Sequence, residues 1–130
     1  MTTLSTRPMF QGQAAAALDL CASIFPSFKT IAREDYGEGD MAAAGTIKLA
    51  TIDFNGAALQ VIDSPIPHQF DFTPSMSLFV DCEDEDQLNR AFAALSEGGE
   101  VMMPVDNYGF SRQFGWCEDR FGLSWQIKLP

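Results

Sequence analysis

The chain is poor in the residue types that bind metals or act as nucleophiles. Its 130 residues include a single histidine, His68, and only three cysteines, Cys21, Cys82 and Cys117. An odd cysteine count without a C-x-x-C spacing argues against a disulfide framework and against a zinc site. Free cysteines fit a reducing compartment, so we expect a cytoplasmic protein.

Basic residues are also scarce, with 8 Lys and Arg against 18 Asp and Glu and a formal net charge of -10. Phosphate backbones and anionic lipid surfaces repel such a chain, so we expect neither a nucleic-acid partner nor a membrane partner. No apolar run approaches the ~20 residues of a membrane-spanning helix, and the N-terminus lacks the apolar stretch of a signal peptide. A hydrophobic fraction of 46% is typical of a globular domain, and the length suggests one.

The first half of the chain alternates strand-like and helix-like patterns. An alanine-rich stretch from Gln13 repeats apolar residues every three or four positions, which predicts a helix. The pair Asn55-Gly56 lies between two strand-like runs and is a strong hairpin signal, because both residues must take positive φ. The predicted elements are a strand at Thr6–Phe10, the helix from Gln13, and strands at Phe28–Tyr36, Thr46–Phe54 and Ala57–Asp63.

The same order of elements restarts after a proline-broken linker at Ser64–Pro74. Asp84 with Gln87 three residues later is a capping-box-like spacing, and Gly98-Gly99 suits the end of the helix that follows. The predicted elements are a strand at Ser75–Cys82, the helix, and strands at Glu100–Val105, Ser111–Glu118 and Ser124–Leu129. We therefore predict an α+β fold of two βαβββ modules in a single domain, with module one at about residues 5–63, the linker at 64–74 and module two at about 75–130.

Seven blocks of the sequence carry a family resemblance: FQGQAAAAL at Phe10–Leu18, IFP at Ile24–Pro26, YGEGD at Tyr36–Asp40, PHQFDF at Pro67–Phe72, SLFVDCEDEDQL at Ser77–Leu88, ALSEGG at Ala94–Gly99 and FGWCEDRFGLSWQI at Phe114–Ile127. Together they resemble the PhnB-like family of the glyoxalase, or vicinal oxygen chelate, superfamily, a family often labelled demethylubiquinone methyltransferase-like. The last block is the most specific. The resemblance implies that each module rolls its sheet into a half-open cup and that the protein is a homodimer, because members of the superfamily commonly pair.

The resemblance also locates the places where metal enzymes of the superfamily hold histidines and glutamates. In this chain they fall near Ser5 or Thr6, at Gln60, near Ser75 and at Gln126. Neutral hydroxyls and amides are weak ligands and would leave the charge of a divalent metal uncompensated in a partly dry cup. We therefore expect no metal and no cofactor. The two glutamines would either bind a polar ligand or hydrogen-bond neighbouring backbone.

Aromatic and polar residues near the expected cup complete the candidate site. His68 could serve as a general base or be an ordinary loop histidine. The acidic neighbours of Cys117 favour a structural thiol over a nucleophile. Alternation along the last strand puts Gln126 on the cup face and Trp125 on the core face, while the face of Trp116 stays open. The predicted ligand-binding set is Gln60, His68, Phe70, Ser75, Trp116 and Gln126.

Three classes of function are compatible with these residues. The missing metal ligands favour a metal-free protein that binds a small molecule. A lyase, isomerase or dioxygenase of glyoxalase type is the alternative, and it would need a bound metal. The methyltransferase of the family label would need to bind S-adenosylmethionine, yet the sequence lacks the glycine-rich strand-to-helix turn of common enzymes of that kind.

Overall fold

Each half of the chain builds one four-stranded sheet with one helix. The computed structural model describes all residues, Met1–Pro130, and they divide into two compact units, Met1–Gln69 and Phe70–Pro130. The order strand–helix–strand–strand–strand occurs once in each unit. This confirms the predicted α+β fold of two βαβββ modules. No helix is long and apolar enough to cross a membrane.

The first unit places its first and last strands side by side. Its elements are β1 (Met9–Phe10), α1 (Ala14–Ile24), β2 (Phe28–Asp35), β3 (Ile47–Phe54) and β4 (Ala57–Asp63). The sheet order is β1-β4-β3-β2, with β1 parallel to β4 and the other neighbours antiparallel. Asn55 and Gly56 take φ values of 48° and 98° in the β3–β4 turn, which confirms the predicted hairpin.

The second unit repeats this topology. Its elements are β5 (Ser77–Asp81), α2 (Glu85–Ser96), β6 (Glu100–Asp106), β7 (Gln113–Glu118) and β8 (Ser124–Leu129), in the sheet order β5-β8-β7-β6 with β5 parallel to β8. Asp84 caps α2 by accepting a 2.7 Å hydrogen bond from the backbone N–H of Gln87. Gly98 follows the helix in the left-handed conformation, with φ of 75°, as the sequence predicted.

In each unit, one face of the sheet packs against the apolar side of the helix. In the second unit Trp125, Ile127 and Leu129 of β8 are buried, which confirms the alternation predicted for that strand. Gly115, on the neighbouring strand β7, has no room for a side chain, because a Cβ there would lie 2.6 Å from the Phe92 ring of α2. The helix therefore packs closely on the middle of this sheet.

Three predicted strand starts are wrong by two residues or more. The strand predicted at Thr6–Phe10 shrinks to Met9–Phe10 plus an isolated bridge between Thr6 and Leu59. Pro8 interrupts the ladder because it has no N–H to donate.

Ser75, predicted on the strand that opens module two, instead lies in a turn before β5. Its hydroxyl pairs with Thr73 Oγ1 at 2.9 Å, and its N–H donates to the same atom at 3.3 Å. Such local side-chain bonds compete with strand pairing. The strand predicted from Ser111 likewise begins only at Gln113.

The carboxylate of Asp63, only 1% exposed at the end of β4, joins three segments of the first unit. Its Oδ1 accepts hydrogen bonds from the backbone N–H of Gly12 at 2.8 Å and of Ala14 at 3.0 Å. Its Oδ2 accepts from the N–H of Ile47 at 2.8 Å. Gln13, at the N-cap of α1, provides no side-chain cap of its own, so Asp63 caps the helix from across the sheet.

We predict that Asp63→Ala lowers the free energy of unfolding by about 3 kcal/mol, because it leaves three backbone N–H donors, two of them buried, without their charged acceptor. Urea unfolding followed by far-ultraviolet circular dichroism measures this change. Asp53→Ala is the matched control, since Asp53 accepts a single N–H bond, from Gly56, at a half-exposed position. Equal losses of stability in the two variants would contradict the role assigned to Asp63.

Candidate functional site

Gln126 and Trp116 share the face of the second sheet that points away from α2. The two residues are directly opposite each other in the β7–β8 register, and Ser77 is opposite Ser124 in the β5–β8 register. Because side chains alternate along a strand, Ser124 and Gln126 point away from buried Trp125. The structure therefore answers the question that the sequence left open and places Trp116 on the Gln126 face.

Four of these side chains form one hydrogen-bond network. Gln126 Nε2 donates to Ser77 Oγ at 3.2 Å, the hydroxyls of Ser77 and Ser124 are 2.6 Å apart, and Trp116 Nε1 donates to Ser124 Oγ at 2.9 Å. The Ser124 hydroxyl makes a longer 3.5 Å bond to the carbonyl of Pro74. Either hydroxyl can be the donor in the serine pair.

The network leaves one polar atom of Gln126 open for a ligand. Its amide nitrogen is tied to Ser77, whereas its Oε1 has no hydrogen-bond partner in the chain. Beside it on the same face, Lys128 Nζ lies 5.9 Å from the centre of the Phe79 ring and 3.4 Å from Asp81 Oδ1. This face thus combines a fixed hydrogen-bond acceptor with an indole, a phenyl ring and a charged pair.

The first sheet carries a polar pair of its own on the face that points away from α1. Thr6 is opposite Leu59, so the parallel offset puts Arg7 opposite Gln60. Arg7 Nη2 donates to Gln60 Oε1 at 2.7 Å. Arg7 is exposed and Gln60 is half-buried.

Sequence reasoning missed Arg7 because it assigned the first-strand position to Ser5 or Thr6. Alternation in and just before β1 was a usable signal. Apolar Pro8 and Phe10 are buried on one face, and Arg7 has the spacing of the other face. Likewise Ser77, two residues after the predicted Ser75, is the hydroxyl that joins Gln126.

The remaining predicted site residues lie in loops. His68 is bound through Nε2 to Ser64 Oγ at 2.8 Å and through its backbone N–H to Gln11 Oε1 at 2.9 Å. Ser64 Oγ also donates to the carbonyl of Ile66 at 2.8 Å, so the pair belongs to a tight local turn. Phe70 is 62% exposed, and Ser75 is exposed in its turn. None of these three residues takes part in the Gln126 network.

A groove of about 340 Å³ opens in the first unit where β1 and β4 end. Its walls include Gln11, Met41, Thr46 and Ile66. The Asp63 carboxylate also borders it, but both carboxylate oxygens accept backbone hydrogen bonds. The groove is therefore a surface feature without a free charged group.

No group of three or more His, Cys, Asp or Glu side chains is arranged to hold a metal ion. At the Gln60 position the amide oxygen that a metal would need accepts a hydrogen bond from a guanidinium instead. At the Gln126 position the nearest polar groups are serine hydroxyls and an indole N–H. Both donor sets suit hydrogen bonding to an organic ligand better than coordination of a hard or borderline cation.

The topology of the two units defines a fold of glyoxalase type. The fold matches that of a glyoxylase/bleomycin resistance protein/dioxygenase domain from Frankia sp., with a TM-score of 0.65, 14% identity, and coverage of 99% of this chain and 92% of the other. It also matches the fosfomycin resistance protein FosX from Mesorhizobium loti, with a TM-score of 0.67, 6% identity, and coverage of 98% and 90%. At these identities the likeness concerns the fold alone.

A PhnB protein from Bacillus cereus is much more similar, with 37% identity, a TM-score of 0.94, and coverage of 99% of this chain and 100% of the other. It carries the label 3-demethylubiquinone-9 3-methyltransferase, and the family model of that description matches residues 2–128. The chain therefore belongs to the PhnB-like, 3-demethylubiquinone-9 3-methyltransferase family, as the sequence blocks predicted. No curated protein matches the sequence significantly.

None of the three cysteines forms a disulfide, and all three are buried. Burial, together with the charges of Asp81 and Asp84, raises the pKa of the Cys82 thiol to about 11. Burial and the charge of Asp119 raise the pKa of the Cys117 thiol to about 12. Both thiols are therefore protonated at neutral pH, and the thiolate that a nucleophile requires is absent there.

We predict that the native protein does not react with Ellman's reagent at pH 8, because its thiols are buried and the pKa values of Cys82 and Cys117 lie well above that pH. In urea all three cysteines should react. Absorbance at the wavelength of the released thiolate measures both states. Rapid modification of Cys117 in the folded protein, identified by mass spectrometry, would contradict this assignment.

Proposed function

We propose that this PhnB-like protein binds a small polar molecule without a metal ion. The observation that carries the proposal is the fixed amide of Gln126, which presents a free oxygen beside the indole of Trp116. The hydrogen-bonded network fixes this oxygen before a ligand arrives. Little conformational entropy is therefore lost when the ligand binds. An aromatic surface with a few oriented polar groups is the usual composition of a small-molecule site.

The Gln126 network supports direct recognition of a hydrogen-bond donor. Because Ser77 binds the amide nitrogen, the amide cannot rotate without breaking that bond, and Oε1 remains the outward atom. The Trp116 indole is oriented in turn by its bond to Ser124. A ligand with an N–H or O–H group and a flat apolar part would match this pair.

The Arg7–Gln60 contact supports the absence of a metal from the first sheet. A divalent cation at Gln60 would meet the guanidinium charge at short range, with a repulsion of about 8 kcal/mol at ~4 Å and an effective dielectric constant of ~20. The amide oxygen would also have to give up its 2.7 Å hydrogen bond. A glyoxalase-type lyase, isomerase or dioxygenase that depends on a metal is therefore the weaker alternative.

The methyltransferase of the family label is the third candidate. Gly12 separates β1 from α1, which gives a strand–glycine–helix order. The Asp63 carboxylate, however, occupies the N-terminus of α1, where a Rossmann-type fold would bind an anionic group of its cofactor. The mixed four-stranded sheet also differs from the doubly wound sheet of common S-adenosylmethionine enzymes.

We further propose that the protein works as one domain per chain and as a homodimer in the cytoplasm. Three cysteines that form no disulfide support a reducing compartment. Exposed apolar side chains such as Ile31, Phe79 and Phe110, which are 65%, 52% and 60% exposed, support a partner surface. Light scattering coupled to size-exclusion chromatography should give twice the 14.3 kDa chain mass, and a monomer at micromolar concentration would contradict the dimer.

Native mass spectrometry and elemental analysis of one gently purified sample test the function directly. We expect no stoichiometric metal and an added organic mass that dissociates on denaturation. Stoichiometric zinc, iron, nickel or manganese would overturn the metal-free proposal. Titration calorimetry with S-adenosylmethionine decides the third candidate, for which we expect no binding.

A variant pair ties that bound mass to the Gln126 face. Gln126→Leu should lower the fraction of protein carrying the ligand at least about tenfold, because the ligand loses its fixed acceptor and Ser77 its partner. Gln13→Leu is the matched control, since Gln13 is an exposed glutamine whose side chain makes no helix-capping bond. Equal loads of ligand in both variants would show that the site lies elsewhere.

A further inference from the structure

We infer that Arg7 and Gln60 form a site on the first sheet that binds an oxyanion, a carboxylate or a phosphate group. This inference goes beyond the proposed function and concerns the first unit alone. Its basis is the position of Arg7, the bond that orients it, and the absence of an acidic partner.

Arg7 has no acidic side chain as a partner, unlike three of the other four arginines. Arg33, Arg90 and Arg120 each form an ion pair with an acidic side chain within 4.0 Å. Arg112 donates to the carbonyl oxygen of the C-terminal residue at 2.8 Å. In a chain with 18 acidic residues, Arg7 is bound instead by the neutral amide of Gln60. Its positive charge is therefore not neutralised by a neighbouring acid.

The Gln60 contact orients the guanidinium without consuming its capacity to bind. A guanidinium has five N–H donors, and the hydrogen bond to Gln60 Oε1 uses one of them. The remaining donors include an edge that can bind a carboxylate or a phosphate with two parallel hydrogen bonds. A neutral acceptor holds the side chain in place without neutralising its charge. A carboxylate at position 60 would neutralise that charge and weaken the attraction of an anionic ligand.

The surroundings of the pair are apolar on one side and open to solvent on the other. Met9 and Ile62, opposite each other in the β1–β4 register, are half-buried on the same face as Arg7 and Gln60. Arg7 itself is exposed, so an anion is held by charge-assisted hydrogen bonds to the guanidinium rather than by burial. The net charge of -10 repels anions at long range, so selectivity must come from these short contacts.

Side-chain NMR of the full-length protein labelled with ¹⁵N-arginine tests the site. The probes are inorganic phosphate and acetate, with acetamide as the neutral counterpart of acetate. We expect the Nε–Hε signal of Arg7 to shift saturably with phosphate, acetate or both. Acetamide should cause no comparable shift, and the ion-paired Arg90 signal should stay in place. Loss of one signal in Arg7→Lys assigns the resonance.

Three variants measure what each residue contributes, with backbone amide shifts of β4 as the readout. Arg7→Gln should weaken binding of the anion at least about tenfold, which is typical of losing a charged hydrogen-bond donor. Gln60→Ala should weaken it a few-fold, because the guanidinium keeps its charge but loses its orientation. Arg90→Gln removes the same charge from the surface of α2 and should leave the affinity unchanged.

Each outcome separates this inference from the proposed function. Binding of phosphate alone shows that the site takes a phosphate group, and binding of acetate alone shows that it takes a carboxylate. No saturable shift with either anion, an equal shift with acetamide, or unchanged affinity in Arg7→Gln overturns the anion site. Such a failure leaves the proposed function at Gln126 untouched, because that function is tested by the ligand mass that Gln126→Leu loses. A stoichiometric metal in the wild-type protein would overturn the function itself.

Discussion

The first unit depends on one buried carboxylate. Asp63 binds the N–H groups of Gly12 and Ala14 at the start of α1 and of Ile47 at the start of β3. It therefore joins the ends of three segments that would otherwise be connected only through long stretches of chain. The same contact aligns β1 with the end of β4. It therefore also determines that Arg7, just before β1, lies beside Gln60. The candidate anion site is a consequence of this alignment.

The second unit reaches the same topology with differently placed carboxylates. Asp84 caps α2 from the adjacent position in sequence, whereas Asp63 caps α1 from across a sheet. Asp119 holds the β7–β8 turn by accepting hydrogen bonds from the N–H groups of Phe121 and Leu123 and from Trp125 Nε1. Burial raises the pKa of the Asp119 carboxyl, although these hydrogen bonds and the charge of Arg120 oppose the rise. The duplicated fold thus does not require duplicated sequence.

Local signals in the sequence predicted local structure well. The Asn55-Gly56 turn, the Asp84 cap and the alternation of β8 each follow from a few neighbouring residues. The candidate site was predicted less well, because Arg7, Ser77 and the face of Trp116 depend on the register between strands distant in sequence. Pro8 and the turn before β5 shift where these two strands begin to pair. Gln126 was found because its own strand alternates without interruption.

The brevity of β1 makes the edge of the first sheet its most weakly held part. Between Thr6 and Pro8 the strand is joined to β4 by backbone bonds of 3.3, 2.8 and 3.3 Å, and Pro8 contributes no donor of its own. Segments with so few bonds open locally at a free-energy cost far below that of unfolding the whole molecule. The Asp63 bond to Gly12 limits such opening to the residues before it. Arg7 thus lies on a weakly held segment, and an anion that bound both Arg7 and Gln60 would add a further link between this segment and β4.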